Sequence, residues 1–323
     1  MPRNPDLPRP GERVLSKGDL LAALKNVDSS DDARARILTM EMAFRQRINS
    51  HMAALPAGSS SFQKFNTSPF ALMLYAKQKG YSYVSEIEED ILPAKLFSSM
   101  ETSAGRMVQD VVLPIYGWES VASTMHSASS VLDARRCDPD IVRLATLKSG
   151  PRCLNDEMSK DLADDIVGHS EQWAEEAGVD HVDFTYGVLY GTKKQSNKKD
   201  WHILRNIVEI RGSTFVIQHP GKRWDCSFRV RGTRVDVAVR IGADWWVYLG
   251  GPHTLMEIMS ALIRACVTPA SKAEEGVTYT ISDLGQIIST QNVPDDYNVS
   301  LLQRSQLQWL FFLARHYCDR IED

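Results

Sequence analysis

Residue types able to act on a phosphodiester gather in one stretch: the carboxylate of Asp133, the hydroxyl of Thr146 and the ammonium of Lys148. Ser129–Arg135 and Ile141–Leu147 are β-branched and aliphatic runs. They are separated by Cys137-Asp138-Pro139-Asp140, a turn-type sequence in which Pro139 has no N–H to give to a ladder. The pattern predicts a β-hairpin. Period-two alternation puts residues 146 and 148 on one face of the second strand, with Asp133 late on the first. One carboxylate and one lysine then converge at a sheet edge. Mg²⁺ prefers hard oxygen ligands such as a carboxylate, polarises a phosphate and acidifies a bound water, while an ammonium offsets charge developing on the phosphate oxygens. The same types in the same places also serve as solvated charges beside a turn and at a strand end, and spacing alone does not separate the two readings.

The flanking elements must position these groups. A helix over Ser98–Leu113 carries Glu101 in its first turn, where the helix dipole favours an acid, and Gly105 one turn on implies close approach of a strand or a phosphate backbone. After Lys148, Ser149-Gly150-Pro151 ends the strand and a helix begins at Asp156, with Arg152 and Asn155 on the loop between. Val182–Tyr190 reads as a further core strand, followed by a lysine-rich loop through Lys199 and a helix Asp200–Ile210 capped by Asp200. Strands are expected at Ser213–Gln218, Ser227–Arg231, Thr233–Ile241 and Trp245–Leu249, with Trp245-Trp246 in the core, and amphipathic helices at Leu255–Val267 and Val299–Ile321. Before residue 95 the chain is helical: Leu20–Asn26, a helix from Ser29–Asp32 through about Leu55, Pro69–Lys79 and Val84–Phe97. The expected architecture is α/β, a central mixed sheet flanked by helices, with a helical region 1–95 ahead of a core 96–323.

At 323 residues and 43% hydrophobic, the chain is long enough for a full core. No apolar run reaches the roughly 20 residues that span a bilayer, and the first residues lack a signal-type apolar segment, so a cytoplasmic protein without membrane partners is expected. The five cysteines show no metal spacing and read as reduced thiols. Without a P-loop or GxGxxG, no nucleotide cofactor is implied. The net charge of −4 conceals a segregation: acids crowd into Glu86–Asp90, Asp156–Asp165 and Glu171–Glu176, bases into Lys193–Lys199 and Lys222–Arg240. That asymmetry is compatible with a basic cleft on an acidic protein.

Several ordered stretches carry a resemblance. Asn66-Thr67-Ser68-Pro69-Phe70 is followed by Glu101-Thr102-Ser103-Ala104-Gly105-Arg106, then by Asp133 with Thr146-Leu147-Lys148-Ser149-Gly150-Pro151. Tyr186-Gly187-Val188-Leu189-Tyr190-Gly191 and Asp200-Trp201-His202-Ile203-Leu204-Arg205-Asn206 complete the set. In order and spacing they resemble the core of type II restriction endonucleases of the PD-(D/E)XK nuclease superfamily, over about residues 65–250. The resemblance implies a Mg²⁺-dependent restriction endonuclease that cuts both strands of duplex DNA at a short specific site, leaving 5′-phosphates. Its metal ligands would be Asp133 and Glu101, and its catalytic residues Asp133, Glu101, Thr146 and Lys148. DNA contacts would come from Arg152, Asn155, Lys193, Lys194, Lys198, Lys199 and His202. Where the family usually has Asp or Glu two residues before the lysine, this chain has Thr146. A structure- or mismatch-directed DNA endonuclease of the same fold and a non-catalytic DNA-binding module remain as alternatives. A two-fold dimer would put one centre on each strand of a palindrome, and apolar positions such as Leu301, Leu302, Leu307, Leu310, Phe311 and Leu313 are expected to help form it.

Overall fold

Aliphatic residues at every second position between residues 134 and 241 build one mixed sheet of seven strands. The computed structural model describes residues 17–54, 59–60, 67–121, 130–212, 216–218, 224–266, 280–281, 306 and 309. In chain order the elements begin with α1 (Lys17–Asp28), α2 (Asp31–Ala54), β1 (Ser59–Ser60), α3 (Pro69–Lys79) and a 3₁₀ turn at Val84–Glu86. There follow α4 (Ile87–Ile115), β2 (Glu119–Ser120), β3 (Ala134–Asp138), β4 (Ile141–Lys148), α5 (Asp156–Ala177) and β5 (His181–Val188). The remainder are α6 (Lys199–Arg211), β6 (Val216–Gln218), β7 (Asp225–Val230), β8 (Thr233–Ile241), α7 (Ala243–Gly250), α8 (Thr254–Cys266) and β9 (Thr280–Ile281).

The strand order is β2-β3-β4-β5-β8-β7-β6. β4, β5 and β8 run parallel, while β2 with β3, β3 with β4, β8 with β7 and β7 with β6 are antiparallel. An α/β fold with helices flanking a mixed sheet is therefore what the chain adopts. A hairpin forms where one is expected, with Ala134 opposite Ala145 and Asp138 opposite Ile141 across the Pro139-Asp140 turn, but its first strand is Ala134–Asp138 and not Ser129–Arg135, so Cys137 and Asp138 join the ladder and Asp133 stands just before it. One sheet face, formed by Val142 and Leu144, by Val182, Phe184, Tyr186 and Val188, and by Val235, Val237, Val239 and Ile241, packs against Leu162, Ile166 and Trp173 of α5 and Trp201, Leu204 and Ile207 of α6. Trp173 stacks on Phe184, centroids 5.8 Å apart. On the other face α7 seats Trp245 against Gly187. Trp118 packs edge-on to that indole at 5.9 Å.

Three expectations are corrected. Trp245–Leu249 belongs to a helix: Gly242, at φ 58, accepts from the N–H groups of Trp245 and Trp246 and turns the chain out of β8. Helical spacing then buries Trp245, Trp246 and Leu249 and turns Val247 outward, so the tryptophans are core as expected while the strand is not formed. The helix expected to start at Ser98 is the second half of the single helix α4, so Glu101 does not stand in a first turn. Compact units do not meet near residue 95: Met1–Arg47 joins Gly105–Val267, and Ile48–Ala104 joins Thr268–Asp323. The first union has a physical cause, since Glu257 of α8, 2% exposed, takes both Arg36 nitrogens of α2 at 2.7 Å and the Tyr116 hydroxyl at 2.8 Å. In the second unit β1 pairs parallel with β9, and Trp309 donates to the Ser82 carbonyl at 3.3 Å. Of the expected helix Val299–Ile321 only Gln306 and Trp309 are described, both helical, and the six apolar positions offered for a dimer fall outside the described residues. Among the described residues no helix is long and apolar enough to cross a membrane.

Gly187 sits where β5 passes beneath Trp245. A Cβ there would lie 2.8 Å from both Leu147 Cδ2 and Trp245 Cε3, distances that force one of two packed side chains to move. Gly187→Ala is expected to lower stability by about 1–3 kcal/mol in chemical denaturation, and an unchanged midpoint would show that the contact yields freely.

Candidate functional site at the carboxyl ends of the parallel strands

Asp133 is locked by its backbone before its side chain matters. Its N–H donates to the Ala145 carbonyl at 2.8 Å and its carbonyl accepts from Val121 N–H at 3.1 Å. The carboxylate reaches across to β4, where Oδ2 accepts the Leu147 N–H at 2.6 Å. Burial pushes the Asp133 carboxyl above its ordinary value, partly offset by that hydrogen bond and by the charge of Lys148. Lys148 is the residue after Leu147 on β4, near enough for its charge to act on the Asp133 carboxyl. Thr146 is turned away from it: the hydroxyl is buried and donates to the Val131 carbonyl. As a group with its proton committed to a backbone carbonyl, it ties the segment before β3 to β4 and is poorly placed to stand in for a carboxylate. Gly105 of α4 passes the end of β4 at ordinary contact distance, a Cβ on it falling 3.9 Å from Ser149 Cβ. The Glu101 side chain lies outside the described residues.

The carboxyl end of β4 is continued by two helix starts. Asn155 caps α5, its Oδ1 accepting from Met158 N–H at 2.8 Å, so a structural duty accounts for this residue. Asp156 receives Lys199 and, at 3.3 Å, His202 Nδ1, and the Lys199 bond holds its carboxyl below the ordinary range. Burial pulls His202 down, with the charge of Arg205 acting in the same direction. Arg152 Nε donates to the Gln195 carbonyl at 3.0 Å and Asn197 Nδ2 to the Leu154 carbonyl at 3.0 Å, which joins the two loops. Lys198 is exposed with φ 73, its N–H held by Ser196 Oγ at 2.9 Å. The structure therefore gathers Arg152, Asn155, Lys198, Lys199 and His202. Lys193 is drawn aside to Asp244 at 2.8 Å and over the Trp224 ring, and Lys194 is exposed on the same loop.

Asp200 is not the cap of α6, which begins at Lys199 with Lys198 at the cap position. It is fully buried, with Ser196 Oγ donating to Oδ2 at 2.6 Å and the Tyr186 hydroxyl close enough to interact. Burial pushes both the Asp200 carboxyl and the Tyr186 hydroxyl up. Tyr186 is the register partner of Thr146, so this pair stands directly behind the strand that carries Lys148. A cap-type residue at a helix start gave no signal of burial; the adjoining Trp201 is the feature that locates it against the core.

On the opposite sheet face a cleft of about 240 Å³ is lined by His181, Asp183, Ser227, Arg234, Asp236 and Arg240, among others. His181 Nε2 meets Asp236 at 2.7 Å and Ser227 donates to the same carboxylate at 2.5 Å. Because serine bonds the acid and not the imidazole, no nucleophile and base are paired there.

Among the described residues no three His, Cys, Asp or Glu side chains converge on one point. Asp133 alone offers one hard carboxylate donor, a type that a divalent cation such as Mg²⁺ takes together with waters. No family model matches the chain, and no curated protein matches it.

The raised carboxyl of Asp200 has a defined sign. Its protonated form is favoured by folding, so the stability it contributes is present below the ordinary value of 3.8 and is lost as pH rises through the higher folded value. Asp200→Asn keeps an oxygen for Ser196 and removes the charge. Relative to wild type, the variant is expected to gain stability progressively as pH rises above about 4 in urea titrations; parallel curves would show that Asp200 is ionised at no cost.

Proposed function

We propose that this protein is a Mg²⁺-dependent deoxyribonuclease of restriction-endonuclease type, acting in the cytoplasm on both strands of duplex DNA at a specific site. The observation that carries the reading is a carboxylate fixed on the Leu147 N–H, with Lys148 the next residue of β4 and its charge acting on that carboxyl. The carboxyl ends of parallel strands are where α/β sheets bind ligands, and here the starts of α5 and α6 and an exposed basic loop adjoin them.

With Leu147 N–H on Oδ2, Asp133 would hold the cation through Oδ1. When bound, Mg²⁺ supplies an acidified water and a polarised phosphate. Lys148 offsets negative charge on the non-bridging oxygens as the phosphorus becomes five-coordinate. Arg152 and Lys198 grip flanking phosphates, an interaction that sets register without reading sequence. The resemblance puts the second acid at Glu101, so Glu101→Gln is expected to raise the Mg²⁺ concentration needed for cleavage. A two-fold dimer on the duplex would deliver one centre to each strand.

A second reading, a DNA-binding module without catalysis, is favoured by one observation: the side chain where the family carries a carboxylate is Thr146, committed to Val131. Plasmid digestion separates the two. Asp133→Ala and Lys148→Ala are each expected to lower cleavage by about a hundredfold or more while duplex binding persists in a gel shift. Wild-type protein that binds duplex and leaves the plasmid intact with Mg²⁺ would establish the module, and full cleavage by either variant would remove its residue from the mechanism.

A further inference from the structure

Beyond Val188 the chain continues beside β4 as a rigid ledge. Leu189 N–H donates to the Lys148 carbonyl at 2.9 Å and Tyr190 N–H to the Ser149 carbonyl at 3.3 Å. The Leu189 carbonyl accepts from the Trp246 indole at 2.9 Å, and the Val188 carbonyl accepts from Gly242 N–H at 2.8 Å. The Tyr190 ring lies over Gly150, where an added Cβ would stand 2.8 Å from Oη and 3.1 Å from Cζ. Gly191 then turns at φ 101 against Pro151, whose Cγ would be 2.9 Å from a Cβ there. A tyrosine so seated has few places to go, yet it is 61% exposed.

An exposed aromatic of this size is normally either mobile or covered, and this one is fixed by backbone pairing on a segment contiguous with Lys148. On the reading that the site takes DNA, we propose that Tyr190 is a substrate-contact residue whose ring packs against the base or sugar of the nucleotide next to the phosphate at Lys148. Ring-to-nucleotide packing tolerates any sequence, because every nucleotide offers such a face. It complements the cations around it: Lys148, Arg152 and Lys198 act on charge, whereas Tyr190 acts on the apolar surface between charges. Gly150 and Gly191 are then the residues that let the ring lie flat against the ledge, a role in which a side chain at either position displaces it.

The test is binding of a labelled duplex and a labelled single strand, both of mixed sequence, followed by fluorescence anisotropy in EDTA so that nothing is cut. Tyr190→Ala is expected to raise Kd about tenfold, equally at low and high salt because no charge is lost. Tyr190→Phe is expected to bind within about twofold of wild type. Circular dichroism and an unchanged melting midpoint for Tyr190→Ala confirm that only the contact is removed. A Tyr190→Ala protein that binds like wild type overturns the contact and leaves the nuclease reading standing, as does a Tyr190→Phe protein as weak as Tyr190→Ala. Wild-type protein that binds neither nucleic acid overturns the nuclease reading itself.

Discussion

One hydrogen bond, from the Leu147 N–H to the Asp133 carboxylate, determines where the chemistry-bearing charges of this protein lie. Asp133 precedes β3 and has left the regular ladder, so nothing in strand geometry alone would hold its side chain. By accepting a main-chain donor of β4 it borrows the rigidity of the sheet centre, and Lys148 follows one residue later on the same strand. The bond also explains how a half-buried carboxylate is tolerated, because a buried acid with no donor and no cation would be driven to its neutral form. Asp133 has both, and burial still raises its carboxyl.

Other acids of the fold are each handled differently. Asp200 has one hydroxyl donor, Ser196, and a tyrosine neighbour that burial also drives toward its neutral form. Asp156 is open to water and paired with Lys199, and its carboxyl is held down. Glu257, far along the chain, is buried against a bidentate Arg36 and a tyrosine and serves architecture alone. Burial at Asp200 and a lysine partner at Asp156 thus move the same functional group in opposite directions. Asp133 differs from all of them in being held by a main-chain donor of the sheet itself.

Much of the sheet was legible because its signal is local. Val235, Val237, Val239 and Ile241 alternate with Asp236, Ala238 and Arg240, and the observed β8 has the expected bounds. The hairpin followed from two aliphatic runs around Pro139. What failed depended on contacts that no window of sequence contains. Trp245–Leu249 is apolar enough for a buried strand, and only Gly242 and the seat beneath Gly187 make it a helix. Asp200 has the side chain of a cap, and only its position behind Tyr186 reveals it as buried. The interleaved units follow from Arg36 meeting Glu257 across more than two hundred residues. At the site itself, the nearness of Asp133 to the end of β4 was legible from the hairpin pattern, whereas the diversion of Lys193 to Asp244 and of Thr146 to Val131 was not.

The hairpin that carries Asp133 and Lys148 has a consequence for the order in which this protein assembles. Its two strands are joined by a short turn, so closing it costs little loop entropy. The parallel pairing of β5 with β8 spans about fifty residues of intervening chain, including α6, β6 and β7. Contacts between near neighbours form faster than contacts between distant ones. The acid and the lysine are accordingly joined by contacts as local as those of the β7–β8 hairpin, and the loops around them by the longer-range parallel pairing of β4 with β5, so an incompletely folded chain would hold the two charges before it holds anything to present them to.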